Sequence, residues 1–332
     1  GVYWAWRMFC LEKKTEYADV LERMLLNVNL AAVSMDGKRF FYENMLRRAK
    51  KLPYELIWGQ ERAEYILSYC CPPNLARLMA QMSEYAYALD ESGVYTVLYG
   101  ASRARIKLPG RGEEAFILIQ ETEYPYDGAV RFTFEKEREQ QRELNGFALH
   151  LRIPAWVRSA KLRLGNRTNG RKISLQTLRR EDAGTYLTVW VDKPQETEVL
   201  LELGMEARLT CAHSLVEETV NQVAVERGPL VYCMEGMDAP VETIDDLFIP
   251  SDISLQPELF EIGGRTVTAL TGTFLKKRTD GKEGYDRQAL YQDYVDRGYE
   301  KIKGRMIPYF AWDNRGMDEM RIWMPVTDVR SL

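Results

Sequence analysis

The sequence predicts a multidomain α + all-β protein, a helical stretch followed by two β-sandwich domains. Over the first ninety residues apolar side chains recur at the helical period. From about Gly93 they alternate in short segments parted by Gly, Pro, Asn and Asp. These segments follow one another without the intervening helical patterns of βαβ units. The length of 332 residues suits about two domains, or three small ones. The reading places a helical domain at 1–92, a first sandwich at 93–208 and a second at 209–332.

The first element, GVYWAWRMFCLEKK, is a helix with Val2, Trp6, Phe9 and Cys10 near one face. A second helix begins with Thr15 as cap and carries Tyr17, Val20, Leu21, Met24, Leu25 and Val28 on one side. The period then changes, and Asp36-Gly37 between apolar and aromatic runs marks a hairpin. Tyr42 and Asn44 flank Glu43 on the returning strand and face away from it. Residues 47–64 are charged and irregular, a surface loop or lid. CCPPN then opens a helix over 74–89, with Leu75, Leu78, Met79, Met82, Tyr85 and Ala86 as its stripe. VYTVLYGAS, ARIKL, AFILIQETEY, GAVRFTFEK, FALHLRIP, AKLRLG, TYLTVWV and TEVLLELG are the strands of the first sandwich. QVAVERGPLVYCME, RTVTALTGTF, RMIPYFAW and EMRIWMPV are those of the second.

Composition excludes several functions. With 45 basic and 49 acidic residues the net charge is −4, unlike a basic nucleic-acid binder. No run of 18 apolar residues is available to cross a membrane. The two histidines, His150 and His213, are far apart, which disfavours histidine-rich metal sites and most Ser-His-Asp schemes. No phosphate-loop motif occurs. The N-terminal segment has no signal-peptide pattern and reads as the middle of a helix, as in a fragment entered partway through a domain.

The chemistry-bearing candidates are the cysteines and carboxylates. Five cysteines without framework spacing argue against a disulfide scaffold. Cys10 and Cys233 read as core residues, and Cys211 with His213 lacks the partners of a metal set. Cys70 and Cys71 stand at the start of a proline-opened helix, where the positive dipole end favours thiolate. Two adjacent thiolates suit a soft cation, whereas a disulfide between neighbours is geometrically resisted. From spacing alone a catalytic or metal role stands beside two buried structural cysteines. Glu22 follows the stripe residue Leu21, and a solvated helix glutamate is its plainer reading. Trp156, Trp190, Trp312 and Tyr309 fall in β segments, where such aromatics are usually core, though some carbohydrate-binding surfaces use them for stacking.

YADVLERMLLN, SMDGKRFFYEN and CCPPNLARL, in this order, resemble glycoside hydrolase family 127, the β-L-arabinofuranosidase family of bacteria. The resemblance continues through ETEYPYDGAV, LRIPAW, VERGPLVYCME and IPYFAWDNRG and covers essentially the whole chain. It implies an (α/α)6-barrel catalytic domain followed by β-sandwiches, with this chain holding the barrel's C-terminal helices. It implies Cys70 as nucleophile and zinc contact, Cys71 as zinc ligand, and Glu22 and Tyr42 in the substrate pocket. The other zinc ligands, a Glu-x-Cys pair, and the acid/base glutamate are expected upstream of Gly1. Ser68 stands where many relatives carry a further cysteine, which affects the tuning of the thiolate rather than the nucleophile.

The implied function is retaining hydrolysis of terminal β-L-arabinofuranosides through a Zn²⁺-bound cysteine, with the chain alone expected to be inactive. The alternatives are a non-catalytic carbohydrate-associated β-sandwich protein and a structural zinc protein. Expected partners are an arabinose-containing glycan and a second copy in a homodimer, with no nucleic acid and no membrane. Free thiols point weakly to the cytoplasm.

Overall fold

The computed structural model describes residues 1–49, 59–65, 68–112, 114–137, 143–168, 170, 172–278, 290–291, 293 and 298–328. The chain forms two compact units: Gly1–Leu26 with Ser68–Glu206, and Asn27–Leu67 with Ala207–Leu332.

Three α-helices are described: α1 (Val2–Glu12), α2 (Thr15–Arg23) and α3 (Cys71–Gln81). Helix α1 buries Val2, Ala5 and Phe9, one face of a 3.6-residue period. It stops at Lys13, which turns left-handed (φ 55°) and donates its N–H to the Phe9 carbonyl. Cys10 is exposed, not in the core as its position near the stripe suggested. Thr15 does not cap α2. Lys14 precedes the helix, and the Thr15 hydroxyl donates to the Gly184 carbonyl at 2.5 Å.

The buried face of α2 is Thr15, Ala18, Leu21 and Glu22, so Val20 and Val28 of the expected stripe are exposed. The chain widens into a π-helix over Met24–Asn29, and the longer turn rotates the face away from a continuous α period. Helix α3 begins at Cys71, earlier than expected, with Pro72 and Pro73 in its first turn. It ends at Gln81 rather than 89, because the chain passes through a 3₁₀ turn at Met82–Tyr85 into a strand. Leu21, Leu25, Leu78 and Tyr85 pack with Val2 and Ala5 and hold the three helices together.

Strand β1 (Arg47–Arg48) belongs to the second unit. The first unit continues with β2 (Tyr87–Leu89), β3 (Gly93–Thr96), β4 (Ser102–Lys107), β5 (Ala115–Thr122) and β6 (Ala129–Lys136). Then come β7 (Phe147–Ile153), β8 (Ala160–Asn166), β9 (Lys172–Leu178), β10 (Thr185–Val191) and β11 (Thr197–Leu203). They form a four-stranded sheet, β10-β7-β3-β2, and a six-stranded sheet, β4-β5-β6-β11-β8-β9, around one apolar core. This is the first expected sandwich. Strand β9, with Ile173 and Leu175 exposed at the sheet edge, was not read from the sequence.

Strand β7 lies between β3 (parallel) and β10 (antiparallel), and all seven of its residues are buried. Gly93 permits the β3–β7 approach, since a Cβ there would lie 1.9 Å from the Ala148 carbonyl oxygen. Phe147 stacks on Phe116 with centroids 4.6 Å apart and meets Phe134 edge-on at 5.2 Å.

The second unit adds β12 (Ala207–Thr210), β13 (Gln222–Arg227), β14 (Leu230–Glu235), β15 (Leu247–Pro250) and β16 (Gln256–Ile262). It closes with β17 (Arg265–Lys277), β18 (Tyr299–Pro308), β19 (Met320–Arg321) and β20 (Met324–Thr327). Its ten strands are joined by hydrogen bonds, and the pairing closes on itself through β13, β14, β18, β17, β15 and β20. Hydrogen bonding is continuous because β13 and β14 each pair with more than one neighbouring strand.

Between α2 and α3 the hairpin read at Asp36-Gly37 interrupts the helices. Asp36-Gly37 does form a turn, with Gly37 at φ 74° and an antiparallel bridge between Val33 and Phe40. Tyr42 and Glu43 lie in a bend rather than on a strand. The middle of the expected lid, 50–58, lies outside the described residues. Its described flanks are exposed or half-buried, as a surface loop would be, except that Arg48 and Arg62 are buried, both ion-paired to Asp313. Arg62 is pushed down to about 10 by burial, which Asp313 opposes. Arg48 lies over the Trp312 ring at 4.7 Å and Arg62 over Phe41 at 4.4 Å.

Phe147→Ala should destabilise the first unit by about 3–5 kcal/mol, read as a lower urea midpoint. A change below about 1 kcal/mol would show that the two sheets do not share this core.

Candidate active site

Cys70 and Cys71 form a thiol pair at the start of α3. Cys70 caps the helix without a side-chain capping bond, and Cys71 is its first residue. The prolines fill positions whose N–H groups have no intrahelical acceptor. Asn74 Nδ2 donates to the Cys70 carbonyl at 2.7 Å and ties down the entry of the chain. The two Sγ atoms are 3.3 Å apart, and Ser68 Oγ lies 3.4 Å from Cys70 Sγ. Cys70 is exposed and Cys71 half-buried, so neither is sealed in a core.

The two thiols are not equivalent. The Ser68 hydroxyl, then the Cys71 thiol, hold Cys70 below the ordinary thiol range. Cys70 in turn pushes Cys71 above it, with burial acting in the same direction. The helix dipole favours negative charge at this end. One thiolate, on Cys70, is therefore the form the pair adopts first as pH rises.

The pair fits part of a zinc site. Two sulfurs bound to one tetrahedral Zn²⁺ at about 2.3 Å would stand about 3.8 Å apart, roughly 0.5 Å beyond the observed 3.3 Å. Soft thiolates at that spacing can occupy two corners. Among the described residues, no group of three His, Cys, Asp or Glu side chains completes the set.

Glu22 is not a solvated helix glutamate. It is 1% exposed, on the buried face of α2. Its Oε1 lies 2.5 Å from Arg152 Nη2 and accepts the Tyr124 hydroxyl at 2.8 Å. Asp19, one turn earlier, pairs with Arg152 Nη1 and accepts the Ala155 N–H at 3.0 Å. Burial works against the charge of Arg152, but Glu22 and then Asp19 hold it protonated. Burial, then Glu22, raises Tyr124 well above its usual range. The hydrogen bonds of Glu22 reach neither cysteine.

Tyr42 belongs to the second unit and meets Phe40 edge-on at 5.5 Å. The structure thus brings Cys70 and Cys71 into contact, sets Glu22 within a buried ion pair, and places Tyr42 in the other unit. Arg152, Asp19 and Tyr124 were not singled out from the sequence. An arginine inside the apolar strand FALHLRI, and acids three apart on α2, are the signals that point to them.

The remaining candidates are structural or solvent-facing. Cys233 is buried as expected, and Cys211 is exposed. Trp312 and Tyr309 are core, whereas Trp190 is 59% exposed. His150 Nε2 lies 3.1 Å from Ser92 Oγ, and its Nδ1 lies 2.9 Å from Thr188 Oγ1. The Ser92 hydroxyl and the N–H groups of Ser92 and Gly93 are all committed to Asp90.

Three family models match the chain in order. "Beta-L-arabinofuranosidase, GH127 catalytic domain" matches 1–84, the corresponding middle domain 93–205, and "Glycoside hydrolase family 127 C-terminal domain" 207–325. A non-reducing end β-L-arabinofuranosidase of Bifidobacterium longum subsp. longum is 32% identical over 327 residues, covering 96% of this chain and 47% of the relative. A solved structure described as a glycoside hydrolase is 39% identical, with a TM-score of 0.86, covering 98% of this chain and 51% of its own. A GH127 β-L-arabinofuranosidase from Geobacillus stearothermophilus T6 is 32% identical with a TM-score of 0.82, covering 98% and 48%. The chain spans about half the length of these relatives.

Two measurements test the site as described. Iodoacetamide labelling across pH 6–9, mapped by mass spectrometry, should modify Cys70 at lower pH than Cys71. The reverse order would show that the Ser68 and Cys71 bonds do not set the thiol that ionises first. Glu22→Ala should cost roughly 3–5 kcal/mol in urea unfolding, because it leaves Arg152 buried with Asp19 alone. A cost near zero would mean that the pair carries no stability.

Proposed function

The chain belongs to glycoside hydrolase family 127, and from that premise we propose that it acts in retaining hydrolysis of terminal β-L-arabinofuranosides, with Cys70 as nucleophile. The observation that carries the proposal is the exposed thiol of Cys70 at the head of α3, ionising ahead of its neighbour. A sulfur so placed can approach an anomeric carbon from solvent, and thiolate is the nucleophilic form. The match of 1–84 to the family's catalytic domain supports reading α1–α3 as part of an (α/α)6 barrel.

In this reading Cys70 Sγ forms a bond to the anomeric carbon as the glycosidic C–O bond breaks, and the leaving oxygen takes a proton. Water then displaces sulfur with a second inversion, so configuration is retained. The sulfur serves where most retaining glycosidases use a carboxylate. Cys70 and Cys71 would hold two corners of a zinc ion. When bound, that ion would keep sulfur deprotonated and ease its departure. Glu22 and Tyr42 are proposed pocket residues; for Glu22 the role is to hold Arg152 and Tyr124 in register.

A second reading has one observation in its favour. Among the described residues the hydrogen bonds of Cys70 reach Ser68, Cys71 and Asn74 and no carboxylate. Lack of a positioned general acid costs about 10²–10⁴-fold in rate. A carbohydrate-associated chain without turnover would bind arabinofuranosides and leave them intact.

The test uses p-nitrophenyl β-L-arabinofuranoside, with bound zinc measured by atomic absorption. Turnover is expected to be slow and to fall at least 10³-fold in Cys70→Ser. Zinc content should fall in Cys70→Ser and Cys71→Ser alike. A Cys70→Ser variant as active as the parent would remove Cys70 as nucleophile. Saturable binding without release of p-nitrophenol by the parent would favour the second reading.

A further inference from the structure

The second unit carries a polar cleft of about 640 Å³ on strands β16–β18, remote in sequence from the cysteine pair. That volume lies within the roughly 300–1,000 Å³ of small-molecule sites. Pairing builds its floor. Gln256, Thr271 and Arg305 stand in one row across the three strands, and Thr273 and Lys303 stand opposite each other two residues along. A period of two puts both rows on the same face. Gly272 and Gly304 pair between them, and a Cβ on either would press into Leu255 or Phe274, at 2.8 and 2.9 Å.

The charges in the cleft cancel. Arg305 and Lys303 are cationic; Glu258 and Asp238 are anionic. Arg305 is held as a fixed plate: Nη2 donates to Glu258 at 3.1 Å, Nη1 lies 3.7 Å from Asp238, and the guanidinium lies over Phe260 at 4.0 Å. Its Nε is buried with no acceptor. Lys303 Nζ donates to Thr273 Oγ1 at 3.0 Å, and Gln256 Nε2 donates to Ser254 Oγ at 3.0 Å. Hydroxyls, an amide, carboxylates and cations therefore mix donors and acceptors at close spacing, with no net field to select an ion.

We infer that this cleft of the second unit is a glycan-binding subsite that takes a neutral, multiply hydroxylated segment. Each ligand hydroxyl both donates and accepts, which matches a lining of mixed donors and acceptors. An anion would meet Glu258 and Asp238, and a cation would meet Arg305 and Lys303, so neither gains overall. The groups a ligand hydroxyl would meet are the accessible ones of the lining: the Lys303 ammonium, the Gln256 amide and the Thr271 and Thr273 hydroxyls. The cleft's neutrality stands apart from the proposed hydrolysis; only the choice of an arabinose probe rests on that reading.

The test is calorimetric titration of the Cys70→Ser chain, so that turnover cannot intervene. The probes are an arabinofuranose-terminated oligosaccharide, xylo-oligosaccharides, cello-oligosaccharides and inorganic phosphate. Saturable binding of at least one neutral oligosaccharide is expected, with a dissociation constant in the millimolar range or tighter. Lys303→Met and Thr271→Val, both at the solvent-facing floor, should each weaken it at least 5-fold, and Arg305→Met at least 10-fold. Because Arg305 is partly buried, circular dichroism accompanies that variant, and the other two carry the test if it unfolds. Binding of phosphate alone, no saturable binding, or binding indifferent to Lys303→Met and Thr271→Val would each overturn the inference. Failure of the hydrolysis assay leaves it standing, since this titration needs no turnover.

Discussion

The guanidinium of Arg152 is the constraint on which the first unit is organised. It sits on β7, a strand buried along its whole length, and a cation there must be compensated. Compensation comes from α2, where Asp19 and Glu22 stand three residues apart and meet the two Nη atoms. That pairing sets the rotation of α2 about its axis. Rotation in turn presents Leu21 and Leu25 to Leu78 of α3. The cysteine pair at the head of α3 is thus held through a buried ion pair on a strand far from it in sequence. Such a pair is weak evidence for net stability, yet losing one partner is costly, so it acts chiefly on register.

What the sequence made legible follows from which signals are local. Strand alternation in AFILIQETEY and TEVLLELG depends on neighbouring residues alone, and both segments are strands with that pattern of burial. The opening of α3 was legible for the same reason, since Pro72 and Pro73 mark a first turn wherever the chain goes. The burial of Glu22 was not, because its cause is Arg152, 130 residues away. The π-helix at Met24–Asn29 hid the true face of α2, since one wider turn defeats a fixed period. The end of α3 was misjudged because Tyr87–Leu89 is claimed by pairing with β3, a tertiary preference that outweighs helix propensity. Arg48 and Arg62 looked like surface charge, and their burial rests on distant partners: Asp313, backbone carbonyls such as those of Asp318 and Ala31, and the Trp312 and Phe41 rings.

At the candidate site, what matters is an asymmetry between like groups. Two adjacent thiols compete for one proton, and their surroundings decide which gives it up. Ser68 bonds to Cys70, whereas Cys71 is the more enclosed of the two. A hydroxyl at Ser68 lends the hydrogen bond without offering a further redox-active sulfur. A like pair in identical surroundings would share its proton and be a poorer nucleophile on both sulfurs.

Arg48 and Arg62 converge on one carboxylate, that of Asp313, and so fasten two points of the chain fourteen residues apart to a single anchor. One anion thus answers two buried cations, and its loss would leave both guanidiniums uncompensated at once. The three residues form a unit that tolerates substitution only as a set, so Arg48, Arg62 and Asp313 should change together.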